Sequence, residues 1–281
     1  MPSIPAASSG ALWHGLVIKT PWLIIRKKYF LEDNTMKGFF IALILLFVFL
    51  PAALWAGNQG GATSTFKQFQ QEVNKAYASY RMALFQTNKK NQKKSLESAV
   101  NFQQQWQAII EKYLEAPPGV YANDPEWEDT LVVIGNINGV GIQEILVERL
   151  SDAHETLEAI RDELGALRQR NQVSTFSDHV NNFHEAMESL LQLGLKPNDI
   201  DNKTLLTLHE DLAVLEYLAE KMKENAPAKY LENEGFSQAM NGVFASLKNL
   251  RQALSEKNPD NILKAIKKLK PAYAKVFVKF G

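Results

Sequence analysis

The sequence contains no cysteine in 281 residues, which excludes thiolate zinc sites, iron–sulfur clusters, covalent c-type haem and thiol catalysis on chemical grounds. Neither sign of charge is in excess, with 31 Lys plus Arg against 31 Asp plus Glu, so no global field exists to grip nucleic acid. Glycine (15) and proline (11) are too few for collagen-like or low-complexity chains. Alternating strand-like runs are nearly absent as well. What the chain does have is apolar material: 46% hydrophobic and 10% aromatic residues, enough for one or two packed domains.

From Met36 the chain reads as a bacterial export leader. Lys37 supplies the positive start, Phe39 to Leu50 an unbroken apolar run, and Pro51-Ala52-Ala53-Leu54-Trp55-Ala56 a small-residue cleavage region. Cleavage after Ala56 leaves a chain starting at Gly57, with 26 basic against 29 acidic residues. Residues 1–35 are read as a non-structural extension upstream of the true start, and 36–56 as the signal peptide. The alternative is an uncleaved anchor in the inner membrane: Gly38 to Gly57 is long enough to span a bilayer core, with Arg26-Lys27-Lys28 inside. Either way the folded part is expected to be periplasmic.

After Gly57 apolar residues recur at threes and fours, which predicts an all-α fold of antiparallel bundles. Phe66, Phe69, Val73, Tyr77, Tyr80 and Leu84 make one stripe; Leu96, Ala99, Phe102, Trp106, Ile109 and Tyr113 make the next. Pro117-Pro118-Gly119 and Asn123-Asp124-Pro125 mark a long connection. One helix is expected from about Trp127 to Arg170, bent or broken at Gly135, Gly139 or Gly141. Ser174 or Thr175 caps the next helix, and Asp201 or Asn202 the one after. Two last helices run from about Phe236 to Ser255 and from Asp260 to Phe280. Sliding the chain on itself by 167 residues superposes Phe69 on Phe236, Asn91 on Asn258, Trp106 on Tyr273 and Tyr113 on Phe280 without a gap. A duplicated helical hairpin is the expected cause, with two bundles at 62–171 and 173–281.

Four histidines follow the leader. His154, His184 and His209 sit beside apolar stripe residues, and neutral imidazoles on facing helices can ligate zinc, copper or haem iron. A partly buried histidine satisfied by one hydrogen bond is the plainer reading. His179 and His184, five apart, are about 140° around a helix and do not chelate one ion. The spacings His-Glu-x-x-His and Glu-x-x-His are missing, as are a Gly-x-Ser-x-Gly elbow and a phosphate loop. Lysines at 89, 90, 93 and 94, and again between Lys264 and Lys279, read as solvated faces, with a docking edge for an acidic partner as the sharper option.

Residues 173–281 resemble the four-helix-bundle cytochromes of the bacterial periplasm, the b-562 and c-prime types. The likeness lies in helix order, domain length, the crossover through Ala226-Pro227-Ala228-Lys229-Tyr230-Leu231-Glu232, and the ending from Leu254-Ser255-Glu256-Lys257-Asn258 to Lys279-Phe280. Residues 66–113 resemble the final hairpin again. The resemblance implies a four-helix bundle, and in those families the last helix carries a haem-attachment motif or a histidine ligand. Here Ala272, Tyr273, Ala274, Lys275, Val276 and Phe277 stand in that stretch. Where the b-type site has a first-helix methionine, this chain has Phe183, with His184 and Met187 nearby.

The expectation is therefore a non-enzymatic exported bundle, without cofactor, that binds a periplasmic protein partner or small ligand, with no nucleic acid and with membrane contact only through an uncleaved leader. A b-type haem carrier using His184, Met187 or His209 is one alternative. A divalent metal binder built on His154, His184 and His209 is another.

Overall fold

Helices alone make up the regular structure described by the computed structural model, which covers residues 59–281. The upstream extension (1–35) and the leader (36–56) lie outside the described residues. The α-helices are α1 (Gln59–Asn88), α2 (Gln92–Tyr113), α3 (Trp127–Leu146), α4 (Leu150–Arg170), α5 (Phe176–Gln192), α6 (Asn202–Glu224), α7 (Ala228–Leu231), α8 (Glu234–Glu256) and α9 (Pro259–Phe280). Short 3-10 turns at Gly119–Tyr121 and Pro197–Asp199 precede α3 and α6. Among the described residues no helix is long and apolar enough to cross a membrane.

Local chemistry sets where the helices begin. Asn91, Asp201, Asn233 and Asn258 each accept a hydrogen bond from the backbone N–H three residues on, satisfying a donor that a helix start leaves free. Thr175 and Asp178 form a reciprocal capping box at the start of α5. Pro259 occupies the first turn of α9, where a missing N–H costs nothing.

Packing closes the helices into two rings. α1 packs on α2, α2 on α3, α3 on α4, and α4 returns to α1; likewise α5 packs on α6, α6 on α8, α8 on α9, and α9 returns to α5. α9 also packs against α1, and all the described residues belong to one compact unit, Ala53–Gly281. The first ring is centred on Phe102, Trp106, Leu131, Ile134 and Leu157, and it is sealed at one end by Phe69, Tyr113, Tyr121 and Trp127. Phe176, Phe236 and Phe280 meet edge to face at the corresponding end of the second. Each large side chain so buried contributes roughly 1.5–3 kcal/mol.

The 167-residue offset is visible in backbone and burial alike. The buried positions of α2 are Ser95, Ser98, Ala99, Phe102, Trp106, Ile109 and Tyr113; adding the offset to each gives Ile262, Ala265, Ile266, Leu269, Tyr273, Val276 and Phe280, all buried in α9. The two turns match as well. Lys90 (φ 56°) and Lys257 (φ 53°) both take the left-handed conformation, each followed by the capping asparagine. A non-glycine residue is disfavoured there by about 1–2 kcal/mol because its Cβ crowds the next carbonyl. Lys257→Gly is therefore expected to raise stability by about 0.5–1 kcal/mol, read as a shift in urea midpoint with an unchanged slope.

The single helix expected from 127 to 170 is two helices. The chain breaks at Val147–Arg149, where Glu148 turns left-handed (φ 62°), and the three glycines lie within an unbroken α3. Gln92 donates its side-chain amide to the carbonyls of Ile145 (3.0 Å) and Leu146 (3.3 Å), satisfying acceptors that the helix end leaves open. Close approach is what Gly141 provides. A Cβ on Gly141 would stand 2.7 Å from a methyl of Leu157, so α3 and α4 could not pack as they do.

Candidate functional site

Polar side chains gather where the two rings meet. On α1, Tyr77, Tyr80 and Arg81 share one face by their three- and four-residue spacing, as do His154, Glu158 and Arg161 on α4. Asn181 and His184 on α5 and Tyr273 on α9 complete the set. All except His154 and Glu158, which are half-buried, are buried.

Glu158 is the hub. Its Oε1 accepts a hydrogen bond from Arg161 Nη2 at 2.8 Å and lies 3.6 Å from both His154 Nε2 and His184 Nε2. His184 belongs to the second ring, so this carboxylate ties the two together. Two other links cross the same seam: Arg168 pairs with Asp178 at 2.5 Å, and the Tyr77 hydroxyl bonds to Asn181 at 3.3–3.4 Å. The His184 ring rests on Tyr273, centroids 5.1 Å apart, and Tyr273 stacks between Phe183 and Phe277. His154 Nδ1 meets the Thr87 hydroxyl at 2.9 Å, and that hydroxyl donates to the Leu84 carbonyl.

Burial and charge set the protonation states. Burial alone would raise the Glu158 pKa, but His184, Arg161 and His154 outweigh it and lower it to about 2, so the carboxylate stays ionised. Burial lowers the His154 pKa, keeping the ring neutral at pH 7. Burial also lifts Tyr80 and Tyr273 well above the usual phenol range, so both keep their protons.

Several of these groups are left without a partner. The hydroxyls of Tyr80 and Tyr273, Nε of Arg81 and of Arg161, and Nδ1 of His184 are buried and make no hydrogen bond. Each such group costs about 1–3 kcal/mol in a dry interior. Buried groups of this kind are met in a folded protein by an ordered water or a bound group.

The structure divides the histidines named from sequence. His154 and His184 converge on Glu158. His209 is exposed, which corrects its expected place near the core: the buried stripe of α6 is Leu208, Leu212, Leu215, Ala219 and Met222, and His209 lies about 100° round from Leu208. Met187 is fully buried in α5, with Phe183 and Val276 also buried and the Tyr273 and Phe277 rings stacked on α9. Among the described residues no group of three or more His, Cys, Asp and Glu is arranged to hold a metal ion. The Arg161 guanidinium already sits on the Glu158 oxygen that both imidazoles face, so a cation there would meet a cation.

Glu158, Arg161, Arg81 and Arg168 escaped the sequence reading. Their signal was present in part: Arg161 and Arg168 fall four residues after Leu157 and Leu164, in the register of a buried stripe. No family model matches the chain, and no curated protein or solved structure does so at a significant level.

Proposed function

We propose that the chain is exported to the periplasm and acts there without catalysis, as a helical-bundle protein that takes a small polar ligand or a docking partner at the seam between its two rings. The unpartnered buried hydroxyl, guanidinium and imidazole groups on that seam carry this reading. A core built for stability alone gains by replacing such groups with apolar ones, so their presence points to something bound. The leader pattern from Lys37 to Ala56 supports export. The cytochrome-like hairpin pattern supports a bundle ancestry, while the ring stack of Phe183, Tyr273 and Phe277 fills the space between α5 and α9.

Native mass spectrometry of the intact protein, with an absorption spectrum and elemental analysis of the same sample, tests the reading. The expected result is a noncovalent mass lost in Arg161→Met, no Soret band and no stoichiometric metal. One haem per chain would replace this reading with the electron-carrier one. Metal retained after dialysis and lost in His184→Ala would replace it with the metal-binding one. The exported fraction is expected to begin at Gly57.

A further inference from the structure

Buried arginines on the seam differ in how they are neutralised. Arg161 holds Glu158 at 2.8 Å and lies 3.9 Å from Asp162. Arg168 holds Asp178, and Arg170, further out, holds Asp124 and Glu126 at 3.4 and 3.3 Å. Arg81 has no such partner among the described residues. It is only 7% exposed, its Nε is unpartnered, and its guanidinium lies over the Tyr77 ring at 5.8 Å from the centroid. The titratable groups that act on it are all phenols, those of Tyr77, Tyr230 and Tyr273. Burial raises the pKa of the Tyr77 and Tyr273 phenols, so neither offers Arg81 a negative charge near neutral pH.

We propose that Arg81 anchors a site for one small monovalent inorganic anion, of the chloride or nitrate kind, held between α1 and α9 at the junction of the two rings. A guanidinium does not shed its proton in the neutral range, so Arg81 carries a full positive charge that no carboxylate among the described residues meets. The Tyr273 hydroxyl is buried and unpartnered, and its phenol is among the groups whose field reaches Arg81, while the Tyr77 hydroxyl is already engaged with Asn181. Of the buried arginines among the described residues, Arg161 and Arg168 each hold a carboxylate and Arg81 holds none, so the charge to be matched at this seam is one. The small accessible fraction of Arg81 admits a compact ion and excludes a bulky one.

This inference rests on the seam being a binding region and names the ligand class it takes. The test is thermal unfolding of the full chain, followed by circular dichroism, as sodium gluconate is exchanged for sodium chloride at constant ionic strength. A saturable rise in Tm of roughly 2–8 °C is expected, from the linkage of one bound ion to folding. Arg81→Met, which keeps the apolar stem, is expected to abolish that rise. An identical rise in the variant, or none in the wild type, overturns the proposal. Should Arg81→Met fail to fold, chlorine-35 line broadening on the wild type, reversed by nitrate, decides it; no excess broadening overturns it. If chloride has no effect but native mass spectrometry finds another guest, the anion proposal falls alone. If the seam holds neither, both readings fall.

Discussion

Trp106→Ala is expected to lower Tm by roughly 6–20 °C, the largest effect of any single truncation in the first ring. Trp106 is fully buried at the middle of α2, stacked on Phe102 with centroids 5.6 Å apart. Its indole N–H donates to the Leu131 carbonyl at 2.8 Å, fixing α3 against α2. The ring packs against α3 at ordinary contact distance, 3.6 Å from where a Cβ on Gly135 would stand. Removing a buried tryptophan costs about 3–5 kcal/mol through lost transfer energy and the cavity left behind, and each kcal/mol moves Tm by about 2–4 °C in a domain of this size. Trp106→Phe keeps the stacking and gives up the hydrogen bond, so less than half of that loss is expected. Calorimetry on both variants checks the pair. Equal losses would show that the bond to Leu131, rather than volume, dominates.

Most of the helical framework was legible because a 3.6-residue period survives in any sequence that buries one helix face. Phe69, Phe102 and Trp106 could be placed in the core from spacing alone, and Asn91, Asp201 and Asn258 mark their helix starts by residue type. The matching turns at Lys90-Asn91 and Lys257-Asn258 follow from an offset read without any coordinates. The break between α3 and α4 was hidden. Leu146 and Val147 continue the apolar pattern into the turn, and the left-handed residue is a glutamate rather than a glycine. His209 was misplaced because it falls four residues after Leu205 and three before Leu212, whereas the buried stripe of α6 runs through Leu208, about 100° away. The seam itself was not legible. A stripe of Leu157, Leu164 and Leu167 draws attention from Arg161 and Arg168; Arg161 pairs with Glu158 on its own helix, whereas Arg168 finds Asp178 only across the seam.

Glu158→Gln is expected to cost about 2–4 kcal/mol at pH 7, a fall in Tm of about 4–16 °C. Without the carboxylate, Arg161 remains buried with only the distant and exposed Asp162 to face it, and His184 loses its hydrogen-bond partner across the seam. An unpaired charge in that position is the costly outcome, more so than loss of the pair itself. The effect carries a pH signature with a definite sign. The folded pKa of Glu158 is about 2, below the ordinary value of 4.5, so its contribution is fully present above about pH 5 and drains away as pH falls toward 2. His154, its pKa lowered by burial, adds a loss in the same direction that starts as pH drops through about 6.5. The variant lacks the Glu158 contribution and also the charge that partly offsets the burial of His154, so its His154 loss is larger. The stability gap between wild type and Glu158→Gln, measured by urea denaturation at successive pH values, is therefore expected to be constant above about pH 7 and to close by about pH 2. A gap that persists unchanged into acid would mean that Glu158 acts through shape, and that its charge does not join the rings.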